Sequence, residues 1–453
     1  MPSADLAETT TPRFALTLTR LAWLVPLTAI GLALRLPIRD NSYLWHLRAG
    51  ERQIEAGSVL TSDPFSFTVA GDPWRTQSWL MDLAYGWLEG LRALISADLT
   101  VLVSAVVLLS AVALRLARRQ SGLLAPLGVL WVMWITLGYF TARPVFPSLA
   151  MLAVLVLVID DIRLRWTVPL LFWVWASIHG GFIVGIGYVV LHALRLKERR
   201  HITTLLASLV AVTLTAHGWA LWEILLRFGG SSANLDLIQE WRPPDFMTLP
   251  LLPFLLGIVG LLVVGMRGRL ATRDLWVIVP FLVFAFTANR AVPLAAIVLV
   301  PFIFPPPRAV RIGTTPLARP VAWATIVIIV SLPFLIPVDD PGLAGRFPVE
   351  AATHLASLPT FHDDGVGGYL IYTGHPGGVF VDDRAELYGE VYADALAARD
   401  AEPGWEEMFA EYDIAQVLLL KTDAVVAVLQ ARGWDQTFED EEYVVLVDGS
   451  VTG

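Results

Sequence analysis

A short polar stretch at residues 40–50, DNSYLWHLRAG, carries side chains that can do chemistry directly after an apolar run. Asp40 is a carboxylate at that junction. It either caps the helical pattern that ends at Gly57 or acts as a general base on an acceptor hydroxyl. His46 lies on the same pattern, and it either contacts a phosphate group or is an interfacial histidine. The stretch therefore predicts either acid–base chemistry or a capped surface helix.

Other polar residues recur in the segments between later apolar runs. Asp63, in TSDPFSF, either forms a turn before proline or contributes to the same site. Guanidinium groups suit phosphate, although arginine also extends to the surface of a membrane as an anchor. The glycines of HGG let backbone or ligand approach the preceding histidine closely. Arg143 and Arg290 therefore either bind phosphate or anchor the chain at the membrane surface. His179 either contacts a phosphate or hydroxyl group or is satisfied by a neighbouring span. Glu240 and Arg242 either join the same site or belong to a proline-stiffened surface loop.

Several kinds of site are excluded. The chain has no cysteine, so thiol catalysis, disulfides and cysteine-based metal sites are absent. DGVGG at 364–368 lacks the Lys-Ser/Thr pair of a nucleotide-binding P-loop. FHDD at 361–364 and VDD at 381–383 are compatible with metal binding or with turns, and no metal ligand set is predicted. The net charge of −9 and the lack of a basic patch exclude a nucleic-acid partner.

The elements that position these side chains follow from composition. The 453 residues are 56% hydrophobic and only 16% charged, and they contain repeated apolar runs. A run of about 20 apolar residues crosses a bilayer as a helix. The sequence predicts a polytopic α-helical membrane protein with about eleven transmembrane helices, and an amphipathic stretch at 78–96 on the membrane surface or against the bundle. The apolar runs lie near 18–36, 98–116, 122–140, 146–160, 166–178, 182–196, 202–220, 249–266, 274–289, 291–306 and 320–337.

The pattern WHLRAGERQIEAG must hold the first polar stretch in place. Asn41 or Ser42 is predicted to cap its start, and Gly57 to end it. The pattern predicts a helix that lies flat on the outer membrane surface with three apolar residues turned inward: Leu44, Leu47 and Ile54.

Membrane topology follows from Lys and Arg residues, which cluster in short loops such as ALRLARRQ, RLKERR and MRGRLATR. Residues 1–17 are then a cytoplasmic tail and residues 18–338 a transmembrane domain whose first outer loop is 37–97. Residues 339–453 are an extracytoplasmic domain, and the protein belongs in the cytoplasmic (inner) membrane. Nearly all the candidate polar residues fall on the outer side. Because charges at a membrane are costly, this grouping predicts a shared polar cavity.

The C-terminal part has the composition of a soluble α/β domain of about 110 residues. VGGYLIY, GGVFVDD, IAQVLLL and EEYVVLVDG are predicted strands. VEAATHLASL, AELYGEVYADALAARD, GWEEMFAEYD and AVVAVLQARG are predicted helices.

These motifs, in this order, resemble a bacterial family of uncharacterised multi-span proteins that are similar to GT-C membrane glycosyltransferases. The resemblance implies a GT-C-like fold, a polyprenyl-phosphate sugar donor and a catalytic role for Asp40 in the first outer loop. It also implies a second acidic residue two positions later, where this chain has Ser42. The motifs that carry it span most of the chain: residues 40–80, 142–144, 175–185, 240–246 and 288–290, with VFVDDRAELYG and PGWEEMFAEYDIAQVLL.

The predicted function is transfer of a sugar from polyprenyl phosphate to a cell-envelope acceptor at the outer membrane face. Asp40 is the base, the arginines bind phosphate, and the remaining candidates position the substrates. The alternative is a non-catalytic membrane protein that binds, moves or scaffolds lipid-linked intermediates. A transporter needs polar groups at mid-span, and the apolar runs contain few. Membrane lipid and the lipid-linked sugar are the predicted partners. The metal requirement, the sugar, the acceptor and the oligomeric state are left open.

Overall fold

The structure is a computed structural model. Among the residues that it describes, helices dominate as far as Leu335, and a four-stranded sheet follows after residue 347. The described residues are 17–33, 40–89, 93–118, 123–223, 241–306, 318–335 and 347–450. Most of the predicted N-terminal tail lies outside them. The helices before the sheet are α1 (Leu18–Ala22), α2 (Leu24–Ala33), α3 (Asn41–Ala56), α4 (Trp79–Glu89), α5 (Ala93–Ala117), α6 (Leu124–Thr136), α7 (Val145–Val158), α8 (Val168–Ile178), α9 (Phe182–Leu196), α10 (Arg199–Thr213), α11 (Leu252–Met266), α12 (Leu275–Thr287), α13 (Ala291–Ile303) and α14 (Arg319–Leu335).

Each of the predicted apolar runs includes a helix. Most of these helices are shorter than a membrane-spanning helix. Within the described residues one helical stretch, Ala97–Ala117, is long and apolar enough to cross a membrane by itself. A helix of 15 residues, such as α11, is about 22 Å long, whereas the hydrocarbon core of a bilayer is about 30 Å thick. The number of spans therefore stays a prediction. Shorter apolar helices of 10–17 residues accompany the long one: Leu124–Tyr139, Val145–Val158, Phe182–Leu196, Leu252–Met266, Ala291–Ile303 and Pro320–Ile329.

Helix α13 occupies the middle of the helical part. Every residue from Ala291 to Val300 is buried, and the helix packs against α6, α7, α11 and α12. A helix that is apolar on all sides is most stable when other helices surround it, because none of its apolar side chains then contacts water. Its neighbours turn large apolar side chains outward, as Leu256, Val259 and Leu262 do at 64%, 56% and 61% exposure.

Most of the first ten residues of helix α3 are buried within protein, whereas its last turns are largely exposed. This corrects the prediction of a helix that lies flat on the membrane surface. Leu44 and Leu47 are buried as predicted, but Ile54 is 48% exposed. One side of α3 packs on α4, and another packs on a helix of the C-terminal part. The contact with α4 is so close that a Cβ atom on Gly50 would overlap the carbonyl oxygen of Asp82.

Asp40 provides the N-terminal cap of α3, which is one of the two roles that the sequence left open for it, whereas the sequence also offered Asn41 or Ser42 as the cap. Its Oδ1 accepts a hydrogen bond of 3.1 Å from the amide of Ser42. Gly57 ends the helix at φ 63°, as the sequence predicted.

Residues 347–450 form an α/β unit around a four-stranded sheet of order β1–β2–β4–β3. The first two strands are parallel, and the other pairs are antiparallel. The strands are β1 (Thr360–His362), β2 (Gln416–Leu420), β3 (Asp435–Glu439) and β4 (Tyr443–Val447). The helices are α15 (Val349–Thr353), α16 (Asp364–Thr373), α17 (Ala385–Tyr388), α18 (Glu390–Arg399), α19 (Trp405–Glu411) and α20 (Ala424–Ala431).

Two of the four predicted strands are wrong. VGGYLIY belongs to helix α16, because Asp363 accepts a 3.0 Å hydrogen bond from the amide of Val366 and Gly374 closes the helix at φ 70°. GGVFVDD does not form a strand. Within it, Val379 makes a single β-bridge, to Ser66 of the first loop. The predicted strands IAQVLLL and EEYVVLVDG contain β2 and β4.

Glycines let the C-terminal unit approach α3. A Cβ atom on Gly368 would overlap Asn41, and one on Gly367 would overlap the carbonyl oxygen of Val381. The backbone of α16 thus lies between the start of α3 and the segment that leads to Asp382. The glycines of DGVGG serve this packing.

Gly368→Ala is expected to lower the free energy of unfolding by about 1–3 kcal/mol, because overpacking pushes α3 away from α16. Thermal unfolding measures the effect. Gly187→Ala is the matched control, since Gly187 is also helical and a Cβ atom there meets nothing within 4 Å. Equal behaviour of the two variants would contradict the packing argument.

Candidate functional site

One cavity, of about 480 Å³, lies where α3 begins, α7 begins and the C-terminal unit docks. We call it the Asp40 cavity. Its wall combines residues that are far apart in the sequence, and those used below are Asp40, Arg143, Asn289 and Asp383.

Arg143 joins two carboxylates on the wall of this cavity. Its Nη2 lies 3.0 Å from Oδ2 of Asp383, and its Nε lies 3.4 Å from Oδ1 of Asp40. Nη2 and Nε also donate to the hydroxyl of Ser42, at 2.7 and 3.0 Å. The side chain is 38% exposed, so the guanidinium remains accessible from the cavity. It holds a residue of the first loop and a residue of the C-terminal unit in one place.

Asp40 caps α3 and also lines the cavity. Asp40 is 5% exposed. Its Oδ1 accepts the capping hydrogen bond from the amide of Ser42 and lies next to Nε of Arg143. Oδ2 is buried with no hydrogen-bond partner among the residues that the structure describes. A buried carboxylate oxygen without a partner is costly. A ligand hydroxyl in the cavity would supply the missing hydrogen bond.

Asp383 supplies a second carboxylate that sequence reasoning missed. Trp45 donates to its Oδ1 at 2.7 Å, and the hydroxyl of Ser42 donates to its Oδ2. Burial raises the pKa of Asp383, the positive charge of Arg143 opposes this, and the nearby carboxylates add to it. The sequence left VDD open between a metal site and a turn. Its place inside the longer motif VFVDDRAELYG was the available signal.

The geometry also accounts for Ser42. The resemblance implied an acidic residue at this position, and the serine hydroxyl instead holds the carboxylate of Asp383. The second acidic group therefore reaches the start of α3 from the C-terminal unit.

His179 directly follows α8 and is prepared to donate a hydrogen bond. The amide of Gly181 donates to its Nδ1 at 2.9 Å, so the neutral ring carries its hydrogen on Nε2. Burial lowers the pKa of His179, and the positive charges of Arg290, His46 and Arg143 lower it further. Arg290, His46 and Arg143, which were predicted to share a site with His179, thus influence its pKa. His179 is not among the residues that line the cavity.

The remaining predictions near this face concern the segment around residue 242. Arg290 lies over the ring of Trp241, 4.5 Å from its centroid. Asn289 lines the cavity, and its backbone N–H donates a hydrogen bond of 2.9 Å to the backbone carbonyl of Arg242. Arg242 itself is exposed. Glu240 lies outside the described residues.

His46 and Asp63 are not brought to the cavity. His46 Nδ1 lies 2.6 Å from Oδ1 of Asp82, in the interface of α3 and α4, and Thr76 donates to the other oxygen at 2.7 Å. Asp63 Oδ1 lies 2.7 Å from Nη1 of Arg384. These contacts give both residues structural partners. Their predicted roles in substrate binding stay predictions.

Arg384 is the centre of a buried ion-pair cluster that anchors Asp383. Besides the bond to Asp63, its Nε and Nη2 lie 2.7 and 2.5 Å from the oxygens of Asp382. Its guanidinium also lies 4.5 Å from the ring centroid of Trp74. The three charged side chains are fully buried. We call Asp63, Asp382 and Arg384 the Arg384 cluster, and it ties the first loop to the C-terminal unit beside Asp383.

The fold and the site define a predominantly helical protein in which a C-terminal α/β unit closes a cavity with two carboxylates and an arginine. No family model and no curated protein matches the chain. Among solved structures, the chain is similar to ArnT from Cupriavidus metallidurans bound to undecaprenyl phosphate, with 12% identity and a TM-score of 0.40. The similarity covers 94% of this chain and 97% of that chain. At this identity and TM-score it assigns no family.

Proposed function

We propose that this chain is a membrane glycosyltransferase of GT-C type, which transfers a sugar from a polyprenyl-phosphate donor to a cell-envelope acceptor. The observation that supports it most directly is the pair of carboxylates, Asp40 and Asp383, around Arg143 on the wall of one cavity. We assign the role of base to Asp40, whose Oδ2 has no hydrogen-bond partner within the described residues. The proposal places the cavity at the outer face of the cytoplasmic membrane, in line with the basic loops of the predicted cytoplasmic side.

The reaction is a single displacement with inversion at the anomeric carbon. Asp40 accepts the proton of the acceptor hydroxyl, whose oxygen forms a bond to the anomeric carbon. The bond from that carbon to the phosphate oxygen breaks, and the polyprenyl phosphate leaves with one more negative charge. A guanidinium beside the leaving phosphate stabilises that charge in the transition state. Arg143 is in place to do so because it lines the same cavity.

Asp383 controls whether Arg143 is available. The guanidinium now binds the Asp383 carboxylate at 3.0 Å, so a donor phosphate competes for the same donors. Because burial raises the pKa of Asp383, this carboxyl takes up a proton more easily than an exposed one. Protonation weakens its hold on Arg143 and leaves the guanidinium to the phosphate.

The apolar outer surface supports a membrane location. Soluble monomers rarely expose continuous apolar patches of more than a few hundred Å². Leu256, Val259 and Leu262 recur every third residue on the outward face of α11, and Trp134 and Leu127 are half exposed on α6. Contact with lipid chains removes these groups from water.

The test compares the wild type with Arg143→Gln in lipid nanodiscs. We expect the wild type to bind undecaprenyl phosphate and to transfer label from a lipid-linked sugar pool, and Arg143→Gln to weaken that binding about tenfold or more. Native mass spectrometry measures binding, and scintillation counting measures transfer. Binding without transfer for every sugar pool would favour the non-catalytic alternative. An absence of binding would overturn the proposal.

The same variant has a pH signature. In Arg143→Gln the ionised Asp383 has lost the cation that lowers its pKa, so its charged form becomes costly. At low pH the carboxyl is protonated in both proteins and the ion pair contributes to neither. As pH rises, the wild type gains the pair and the variant gains an unpaired charge, so the difference in Tm widens. Introducing Asp383→Asn into both proteins should reduce the widening, because neither protein then has an Asp383 carboxylate to ionise.

A further inference from the structure

A second cluster of titratable side chains lies at the opposite end of the helical part. Helix α7 runs from Val145, beside Arg143, to Val158, just before Asp160. Asp160 faces His192 near the end of α9 and His201 in the first turn of α10. The cluster therefore joins three helices at the end away from the Asp40 cavity.

The three residues offer metal ligands at suitable distances. One ligand atom from each of Asp160, His192 and His201 lies within 4.8 Å of the others. His192 Nε2 is 2.8 Å from Oδ1 of Asp160, and the two imidazole rings lie 4.9 Å apart between centroids. Ligand atoms around a tetrahedral Zn²⁺ are separated by roughly 3–3.5 Å, so small side-chain movements would complete the geometry.

Hydrogen bonding within the protein leaves this cluster incomplete. His192 and His201 are 0% and 2% exposed, yet Nδ1 of His192 and Nε2 of His201 have no hydrogen-bond partner within the described ranges. An Asp–Arg ion pair accounts for the other oxygen of Asp160, which lies 2.9 Å from Nη2 of Arg115. It does not account for the two imidazole nitrogens. Buried polar atoms of this kind are normally satisfied.

We propose that Asp160, His192 and His201 bind a divalent transition metal, with Zn²⁺ the best match. Two imidazoles and one carboxylate form a donor set typical of zinc, and they disfavour Mg²⁺ and Ca²⁺, which prefer oxygen. Arg115 then orients the ligating carboxylate from outside, as partners of metal ligands commonly do. Glu198 Oε2, 3.7 Å from His201 Nε2, is a fourth donor within reach.

The role of the ion is structural. It ties the ends of α7, α9 and α10 on the side opposite to the cavity, and it gives one ring nitrogen of each buried histidine a partner. Because the ligands come from separate helices, the bound ion favours only the folded arrangement and raises Tm by mass action.

The first test is metal content. Full-length protein carrying a tag without histidines is purified in detergent, treated with a chelator and titrated with Zn²⁺. We expect about one tightly held Zn²⁺ per chain and a Tm that falls on chelation and recovers on re-addition. X-ray absorption at the zinc edge should show two imidazoles among nitrogen and oxygen ligands. Failure to retain zinc, with no change of Tm on titration, would overturn the proposal.

Two variants locate the ion. His201→Phe keeps a ring in the same buried space but removes the donor, and it is expected to lose the zinc and the zinc-dependent rise in Tm. His354→Gln is the matched control, because this exposed histidine stacks on Phe438 in the C-terminal unit, far along the chain. Equal zinc content in wild type and His201→Phe would place the ion elsewhere and reject the site. If His201→Phe does not fold, the wild type alone tests the site. The number of imidazole ligands from X-ray absorption and the change of Tm on chelation then support or reject it.

Discussion

Asp40→Asn is expected to lower the rate of sugar transfer by about 10²–10⁴-fold while the protein stays folded. Asparagine caps helices as well as aspartate does, so the bond from the side-chain oxygen to the amide of Ser42 can persist. The variant loses the group that accepts the proton of the acceptor hydroxyl. Affinity for the lipid-linked donor should change little, because phosphate binding is assigned to Arg143.

Initial rates with a lipid-linked sugar and thermal unfolding test this prediction together. Asp72→Asn is the matched control, since it makes the same change at an exposed residue of the same loop. Asp383→Asn distinguishes the two carboxylates. If Asp40→Asn keeps a normal rate while Asp383→Asn loses transfer, the base is Asp383 and the assignment of Asp40 is wrong.

The sequence predicted part of this site because local features mark it. Asp40 stands at the start of a helical pattern in the first outer loop, and Arg143 lies in another segment that the positions of the basic loops assign to the outer side. Both were therefore predicted to face one cavity. The structure brings these two together. Asp383 was not predicted, because its role depends on a contact between the C-terminal unit and α3 that no local pattern encodes.

Other candidates show the same limit. His46 and Asp63 were singled out because they are polar residues of the predicted first outer loop, on the same side as the other candidates. Their partners, Asp82 and Arg384, are distant in the sequence, and only the folded chain shows that these polar groups are satisfied. A polar residue type alone does not distinguish a ligand contact from an internal ion pair.

The fold shows where periodicity is informative. Long apolar runs predicted the helices well, and Gly57 and the strands β2 and β4 follow local rules. VGGYLIY was ambiguous because a short apolar run fits a buried helix as well as a strand. Its two glycines resemble a break in a helix, but in α16 they provide the room that α3 and Val381 need. That room is a tertiary requirement.

Arg384→Met is expected to destabilise the contact between the first loop and the C-terminal unit by about 3–5 kcal/mol. The change leaves the carboxylates of Asp63 and Asp382 fully buried without their cation. Urea unfolding followed by tryptophan fluorescence measures the effect, because Trp45 and Trp74 lie beside the guanidinium.

Arg432→Met is the control for loss of an arginine. Arg432 also pairs with an acidic residue, Glu406, but both side chains are about half exposed, so water screens the pair and little change is expected. A comparably small effect of Arg384→Met would mean that the Arg384 cluster does not hold the two parts together.

Neutralising the whole Arg384 cluster separates its two consequences. In the triple variant Asp63→Asn, Asp382→Asn, Arg384→Met, no buried charge is left alone, and replacing all members of a buried ion pair is often close to neutral in stability. Much of the lost stability should therefore return. Transfer activity should return with it only if packing alone keeps Asp383 beside Arg143. If stability returns and activity does not, the cluster positions Asp383, because the ion pairs fix the backbone from which that carboxylate reaches the cavity.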